Sequence, residues 1–148
     1  MDAIIEAGLY AASGMGKQAT KIIAVTNKKV RDELSDLNRQ IGGWKPGFDP
    51  FYGAPVVLIV LGDKSWVNHV YDGSLVMGNL MLAARPWALA AAGFTGPRKN
   101  LNCPTARSFC KTGYPGGMGR HRHCVLGYPE GPLPEAPARK PDRVYYIE

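Results

Sequence analysis

The stretch Ala7-Gly8-Leu9-Tyr10-Ala11-Ala12-Ser13-Gly14-Met15-Gly16-Lys17-Gln18 links a helical pattern to a strand pattern through a glycine-rich turn. Upstream, Ile4, Ile5, Gly8, Leu9 and Ala12 recur at three- and four-residue spacing, so Asp2 to Ala12 predicts an amphipathic helix ending at Ser13-Gly14. Downstream, Lys21 to Thr26 is a short β-branched run of strand type. Ser13, Gly14 and Gly16 let backbone N–H groups approach a ligand closely, while Lys17 and Gln18 add a charge and an amide donor. A plain glycine-rich turn with a solvated lysine fits the same residues. A phosphate-binding P-loop does not: Ala11 stands where its first glycine is required, Gln18 where Ser or Thr should hold magnesium, and no strand leads in.

Working outward, Asn27 opens a second helix in which Val30, Leu34 and Leu37 share a face and Arg31, Glu33, Asp36 and Arg39 are expected in solvent; Gly42-Gly43 stops it. Residues 44 to 53, rich in Pro, Gly and aromatics, read as a loop suited to a pocket wall. Pro55 to Leu61 is apolar on both faces, the pattern of a central strand covered on each side. Asp72 is placed as the N-cap of a helix over Gly73 to Ala84, apolar almost all round and so expected in the core or at a subunit interface through Val76, Leu80 and Ala83. His123 to Tyr128 is another strand candidate. Pro129 to Pro141 holds five prolines and reads as an extended arm, and Arg143 to Ile147 as a strand-like tail able to add to a sheet edge, a partner's included.

The chain of 148 residues, 45% hydrophobic, suffices for one domain over residues 1 to 148. Three cysteines, Cys103, Cys110 and Cys124, are too few and odd for a disulfide framework and point to a reducing, cytoplasmic setting. The longest apolar runs are too short to span a bilayer, so no membrane association is expected. The net charge of +6 resides in residues 85 to 122, which carry seven Lys or Arg and no acidic residue. That charge lies neither on a helical face nor between aromatics, so no nucleic-acid partner is expected. Cys103, Cys110, His121, His123 and Cys124 lack zinc-site spacing, and no metal is assigned. A basic nucleic-acid or zinc-binding module is the weakest of the readings.

The segment Ala7 to Gln18 resembles the flavin-binding signature AGxxAPSxxNxQ of the nitroreductase family. Tyr52-Gly53-Ala54-Pro55-Val56-Val57-Leu58-Ile59-Val60 is similar to that family's second strand, Asp72 to Ala84 to its long central helix, and His123 to Glu130 to its late strand. The resemblance implies an α+β fold, with a mixed central sheet flanked by helices, working as an intertwined homodimer. It also implies FMN as cofactor, NAD(P)H as electron donor, and ping-pong reduction of a small-molecule acceptor such as a nitroaromatic or quinone. The cofactor carries the hard step, so no catalytic side chain is assigned. Ser13, Gly14, Met15, Gly16, Lys17 and Gln18 would meet the flavin, and Arg139 its phosphate. The departures are Gly16 for the family's Asn, Ala12 for its Pro, and a start after the family's arginine-bearing first helix, which would leave the fold incomplete. A truncated remnant that no longer holds FMN is the alternative.

Residues 85 to 122 interrupt the resemblance and are expected to be irregular. Regrouping their codons by one base recovers a glycine turn, a strand of the type LGLGSCWI and an acidic helix, the elements the family carries there. The stretch therefore reads as out of frame, and the literal sequence is expected to lack a sheet strand.

Overall fold

A computed structural model of the chain describes residues 1–94, 118–132 and 135–147. Its elements follow in the order α1 (Asp2–Leu9), β1 (Thr20–Val25), α2 (Lys28–Gly42), β2 (Val56–Asp63), α3 (His69–Ala84), β3 (Ala90–Phe94) and β4 (Met118–Gly127). The strands form a sheet in the order β1-β2-β4-β3, and all pairings among the described strands are antiparallel. The parallel component of the expected mixed sheet is not among them.

β2 is central, as its two-sided apolar sequence requires: Val57, Leu58, Ile59, Val60 and Leu61 are all buried. Alternation divides it between two cores. Leu58 and Val60 meet Ile4, Val76, Met77, Leu80, Cys124 and Leu126 under α1 and α3. Val57, Ile59 and Leu61 meet Val25, Leu34, Phe51 and Val125 under α2. Each such aliphatic side chain contributes about 1.5–3 kcal/mol by leaving water, which fixes the sheet register against a one-residue slip. α1 joins α3 through Asn79 Nδ2, which donates to the Ala7 carbonyl at 2.9 Å.

Helix ends depart from the sequence reading. α1 stops at Leu9, leaving Leu9 exposed and Ala11 and Ala12 in the turn. Asn27 caps α2, its side-chain oxygen accepting Val30 N–H at 3.1 Å, and Gly43 closes the helix at φ 68°. α3 begins at His69, so Asp72 is not an N-cap: it lies one turn inside the helix, buried. Arg31, expected in solvent, is also buried; its Nε donates to the Ala54 carbonyl at 3.0 Å and an Nη to Asp49. A charged side chain this covered persists because the carboxylate and carbonyl replace its water.

Val76 and Leu80, expected in the core or at a subunit interface, are 3% and 0% exposed inside this chain's own core, with Ala83 packed beside them. The outer face of α3 carries Tyr71, Leu75 and Leu82 instead. The tail expected as a strand, Arg143 to Ile147, has no strand partner among the described residues, and Val144, Tyr145, Tyr146 and Ile147 are 67% to 99% exposed. Residues 85 to 122 are not uniformly irregular: Ala90–Phe94 pairs with β4 over Ala90↔Gly127 to Phe94↔His123, so the literal sequence supplies a fourth strand after all. The small side chains of Ala90, Ala91, Ala92 and Gly93 permit this, Gly93 passing Met81 Sδ where a Cβ would stand 3.3 Å away. Met118 to Arg122, also within that stretch, belong to β4, and residues 95 to 117, Cys103 and Cys110 among them, lie outside the described residues.

Candidate functional site

The Ser13 turn connects α1 to β1 as a 3-10 turn over Gly14–Gly16. Met15, Gly16 and Gln18 all take left-handed backbone, at φ 53°, 64° and 47°. Only glycine adopts this without cost, so the two other residues are held there by their surroundings. Ser13 Oγ accepts Gln18 N–H at 3.0 Å, and the Ser13 and Gly14 carbonyls accept Gly16 and Lys17 N–H at 3.0 and 3.1 Å. Gly14 N–H donates to Asp72 Oδ1 at 3.0 Å.

The amides of Gly14, Gly16, Lys17 and Gln18 are thus engaged by Asp72 and by the turn itself. What the turn offers outward is side chains: Lys17, Gln18 and Met15 are exposed, Met15 at 85%. A cation beside an amide matches the acceptor-rich pyrimidine edge of a flavin, whose reduced ring gains from nearby positive charge. The donor set of the turn therefore fits that group.

Arg139 is exposed on the proline-rich arm, an Nη donating to the Pro137 carbonyl at 3.0 Å, and no hydrogen bond among the described residues ties it to the Ser13 turn. The turn lies at one end of the sheet, where Thr20 faces Gly62 and Asp63 N–H donates to the Ala19 carbonyl at 2.9 Å. The arm leaves from the other end, after Gly127. The length of β2 between them is roughly 25 Å for a strand of this size.

That far end holds a cavity of about 460 Å³ between Phe51, Tyr52, Gly53, Ala54 and Pro55 on one side and Ala90, Ala91, Ala92, Val125 and Gly127 to Glu130 on the other. The sequence pointed to its first wall through the Pro, Gly and aromatic content of residues 44 to 53. Tyr128 and Glu130 were not foreseen, because a loop after a strand shows nothing locally of what it faces. The wall is rigidly held: Asp49 accepts Phe51 and Gly53 N–H at 2.9 and 2.8 Å and is itself bonded by Ser35 and Arg31 from α2. Among the described residues no cluster of His, Cys, Asp or Glu is arranged to hold a metal ion.

No protein-family model and no curated protein matches the sequence. Solved structures do match. A nitroreductase with bound FMN from Bacteroides fragilis is 25% identical with a TM-score of 0.84, covering 99% of this chain and 86% of that one. A nitroreductase with bound FMN from Desulfitobacterium hafniense is 24% identical with a TM-score of 0.79, covering 99% and 85%. An iodotyrosine deiodinase bound to FMN and 3-iodo-L-tyrosine is 20% identical with a TM-score of 0.74, covering 99% and 86%.

Proposed function

We propose that this chain, which has the nitroreductase fold, is an FMN-dependent oxidoreductase that takes electrons from NAD(P)H and passes them to a small organic acceptor. The observation that carries the reading is the likeness to FMN-bound nitroreductases along 99% of the chain, with a TM-score up to 0.84. Bound FMN would supply the hydride chemistry, alternately reduced by the nicotinamide and reoxidised by the acceptor, a nitroaromatic or quinone. The protein's own part is to hold the ring and exclude water. Lys17 and Gln18 would meet the pyrimidine edge, the Ser13 to Gly16 turn would support it, and Arg139 would meet the phosphate.

The arm that carries Arg139 leaves the sheet at the end opposite the Ser13 turn, which supports a shared site in a homodimer, the turn of one copy meeting the arm of the other. The apolar side chains left exposed favour the same assembly. Leu9 and Tyr10 on and after α1, and Tyr71, Leu75 and Leu82 on α3, are each 49% to 81% exposed, apolar surface that a second copy would cover. The tail residues Val144 to Ile147 would add to a sheet edge of the second copy. Among the described residues no helix is long and apolar enough to cross a membrane. The sparse cysteines support a reducing, cytoplasmic setting.

The test is flavin binding by purified chain, followed by quenching of FMN fluorescence together with mass by light scattering. A saturable quench at one FMN per chain, carried by a dimer and weakened by Lys17→Ala and by Arg139→Ala, is the expected result. A folded chain that binds no FMN would leave the non-catalytic remnant as the reading. NAD(P)H oxidation that depends on added nitroaromatic or quinone then tests the reaction itself.

A further inference from the structure

Asp72 is the buried carboxylate nearest the Ser13 turn, 3% exposed in the first turn of α3. Its Oδ1 accepts Gly14 N–H at 3.0 Å, a contact between residues 58 apart in sequence, and its Oδ2 accepts Trp66 Nε1–H at 2.9 Å. Gly14 also rests against the same segment: a Cβ there would stand 2.6 Å from Asn68 Nδ2 and 3.1 Å from Trp66 Cζ2. The turn is thus seated on the residues leading into α3 and bonded at its base to a charged acceptor, which makes a stronger hydrogen bond than a neutral one.

Beyond Gly14 the backbone passes through left-handed Met15, Gly16 and Gln18 before β1 begins. Such a succession persists only where both ends are fixed. Gln18 N–H on Ser13 Oγ fixes one end, and Gly14 N–H on Asp72 fixes the other. We infer that Asp72 is a positioning residue: it sets the direction in which the turn presents Lys17 and Gln18, and Trp66 orients its carboxylate for that task. The consequence for FMN rests on the function proposed above, whereas the fixing of the turn does not.

Asp72→Asn tests it. The amide offers one oxygen and one N–H₂ to two N–H donors, so one of the two bonds is lost and a donor faces a donor. Adding Trp66→Phe removes the competing donor and frees the amide oxygen for Gly14. Hydrogen exchange by mass spectrometry on the full chain without ligand should show residues 13 to 18 exchanging about tenfold faster in Asp72→Asn, β2 unchanged, and partial recovery in the double variant. Unaltered exchange of the turn in Asp72→Asn overturns the inference. If that variant does not fold, Trp66→Phe alone decides: a smaller rise confined to the turn supports the inference, and no rise overturns it. In FMN titrations Asp72→Asn should raise Kd about tenfold and shift the visible absorption of the bound flavin, again with recovery in the double variant. A parent chain that binds no FMN removes the flavin reading and leaves the exchange result to decide on Asp72.

Discussion

Arg31 on α2 and Asp49 in the loop before β2 form an ion pair that pins the cavity wall to the helix. The Arg31 side chain is only 10% exposed and its guanidinium lies 5.6 Å from the Phe51 ring centroid, so the pair also carries a cation over an aromatic face. Without Asp49 the covered Arg31 keeps only Asp32 and the Ala54 carbonyl, and without Arg31 the partly exposed Asp49 keeps Ser35 and two backbone amides. Arg31→Met and Asp49→Ala should therefore each cost about 2 kcal/mol in urea unfolding. Arg39→Ala, which breaks the more exposed Arg39–Asp36 pair, should cost less than about 1 kcal/mol. Equal losses at the two positions would contradict this ranking.

The same carboxylate sets an acid limit. Partial burial pushes the Asp49 pKa up, but bonds from Ser35, Arg31, Phe51 N–H and Gly53 N–H outweigh it and bring the value from an ordinary 3.8 down to about 2. A group whose folded pKa is depressed stabilises the protein above its unfolded pKa and stops doing so as pH falls through the folded one. Stability should fall by about 2 kcal/mol between about pH 4 and about pH 2 on account of Asp49. Urea midpoints measured across that window should drop less in Asp49→Asn than in the parent chain.

Met15 carries strain that the turn does not require of a side chain. Its φ of 53° places a Cβ in the left-handed region, while its own side chain is 85% exposed and contributes little packing. Met15→Gly removes the strain at the expense of a more flexible unfolded chain, for a net gain of up to about 1 kcal/mol. A loss of stability would show that the Met15 side chain is held by contacts that outweigh its backbone cost.

Most elements were legible because their signals are local. The β-branched run at Lys21 to Thr26, the two-sided apolar run ending at Leu61, the Asn27 cap and the Gly42-Gly43 stop all report the conformation of the residues that carry them. Asp72 and Arg31 were misread for the opposite reason. An Asp ahead of an apolar run reads as a cap, yet its partners, Gly14 and Trp66, are fixed by packing of α3 against the Ser13 turn. Arg31 reads as solvated until Asp49 and the Ala54 carbonyl are brought over it. β3 was missed because Ala90 to Gly93 has weak strand propensity, and pairing with β4 supplies what the sequence does not. In the candidate site the turn was legible through its glycines. Which of its amides were already engaged was not, because that depends on a carboxylate far along the chain.

Cys124 is buried at the centre of β4, and burial pushes its thiol up to about 11. The thiolate is the reactive form, so this residue should resist alkylation in the folded chain. Iodoacetamide treatment followed by peptide mass mapping should modify Cys124 only when denaturant opens the sheet. Rapid modification under native conditions would mean that β4 exposes this position without global unfolding.

Gly8 and Gly78 should respond oppositely to the same substitution. Both lie in helices, where alanine is favoured over glycine by about 1 kcal/mol. At Gly8, in α1, an added Cβ would stand 2.6 Å from Leu80 Cδ2 and 3.2 Å from Ile22 Cδ1, and Leu80 is fully buried with no room to retreat. Gly8→Ala should therefore lose about 1–3 kcal/mol despite the better helix propensity, as overpacked core positions do. At Gly78, in α3, nothing lies within 4 Å, so the propensity gain is unopposed in a single chain. Gly78 is exposed on the helix that carries Tyr71, Leu75 and Leu82. If a second copy packs closely there, Gly78→Ala should raise the stability of the dilute monomer yet weaken dimerisation, a divergence that urea unfolding and light scattering on the same samples would reveal.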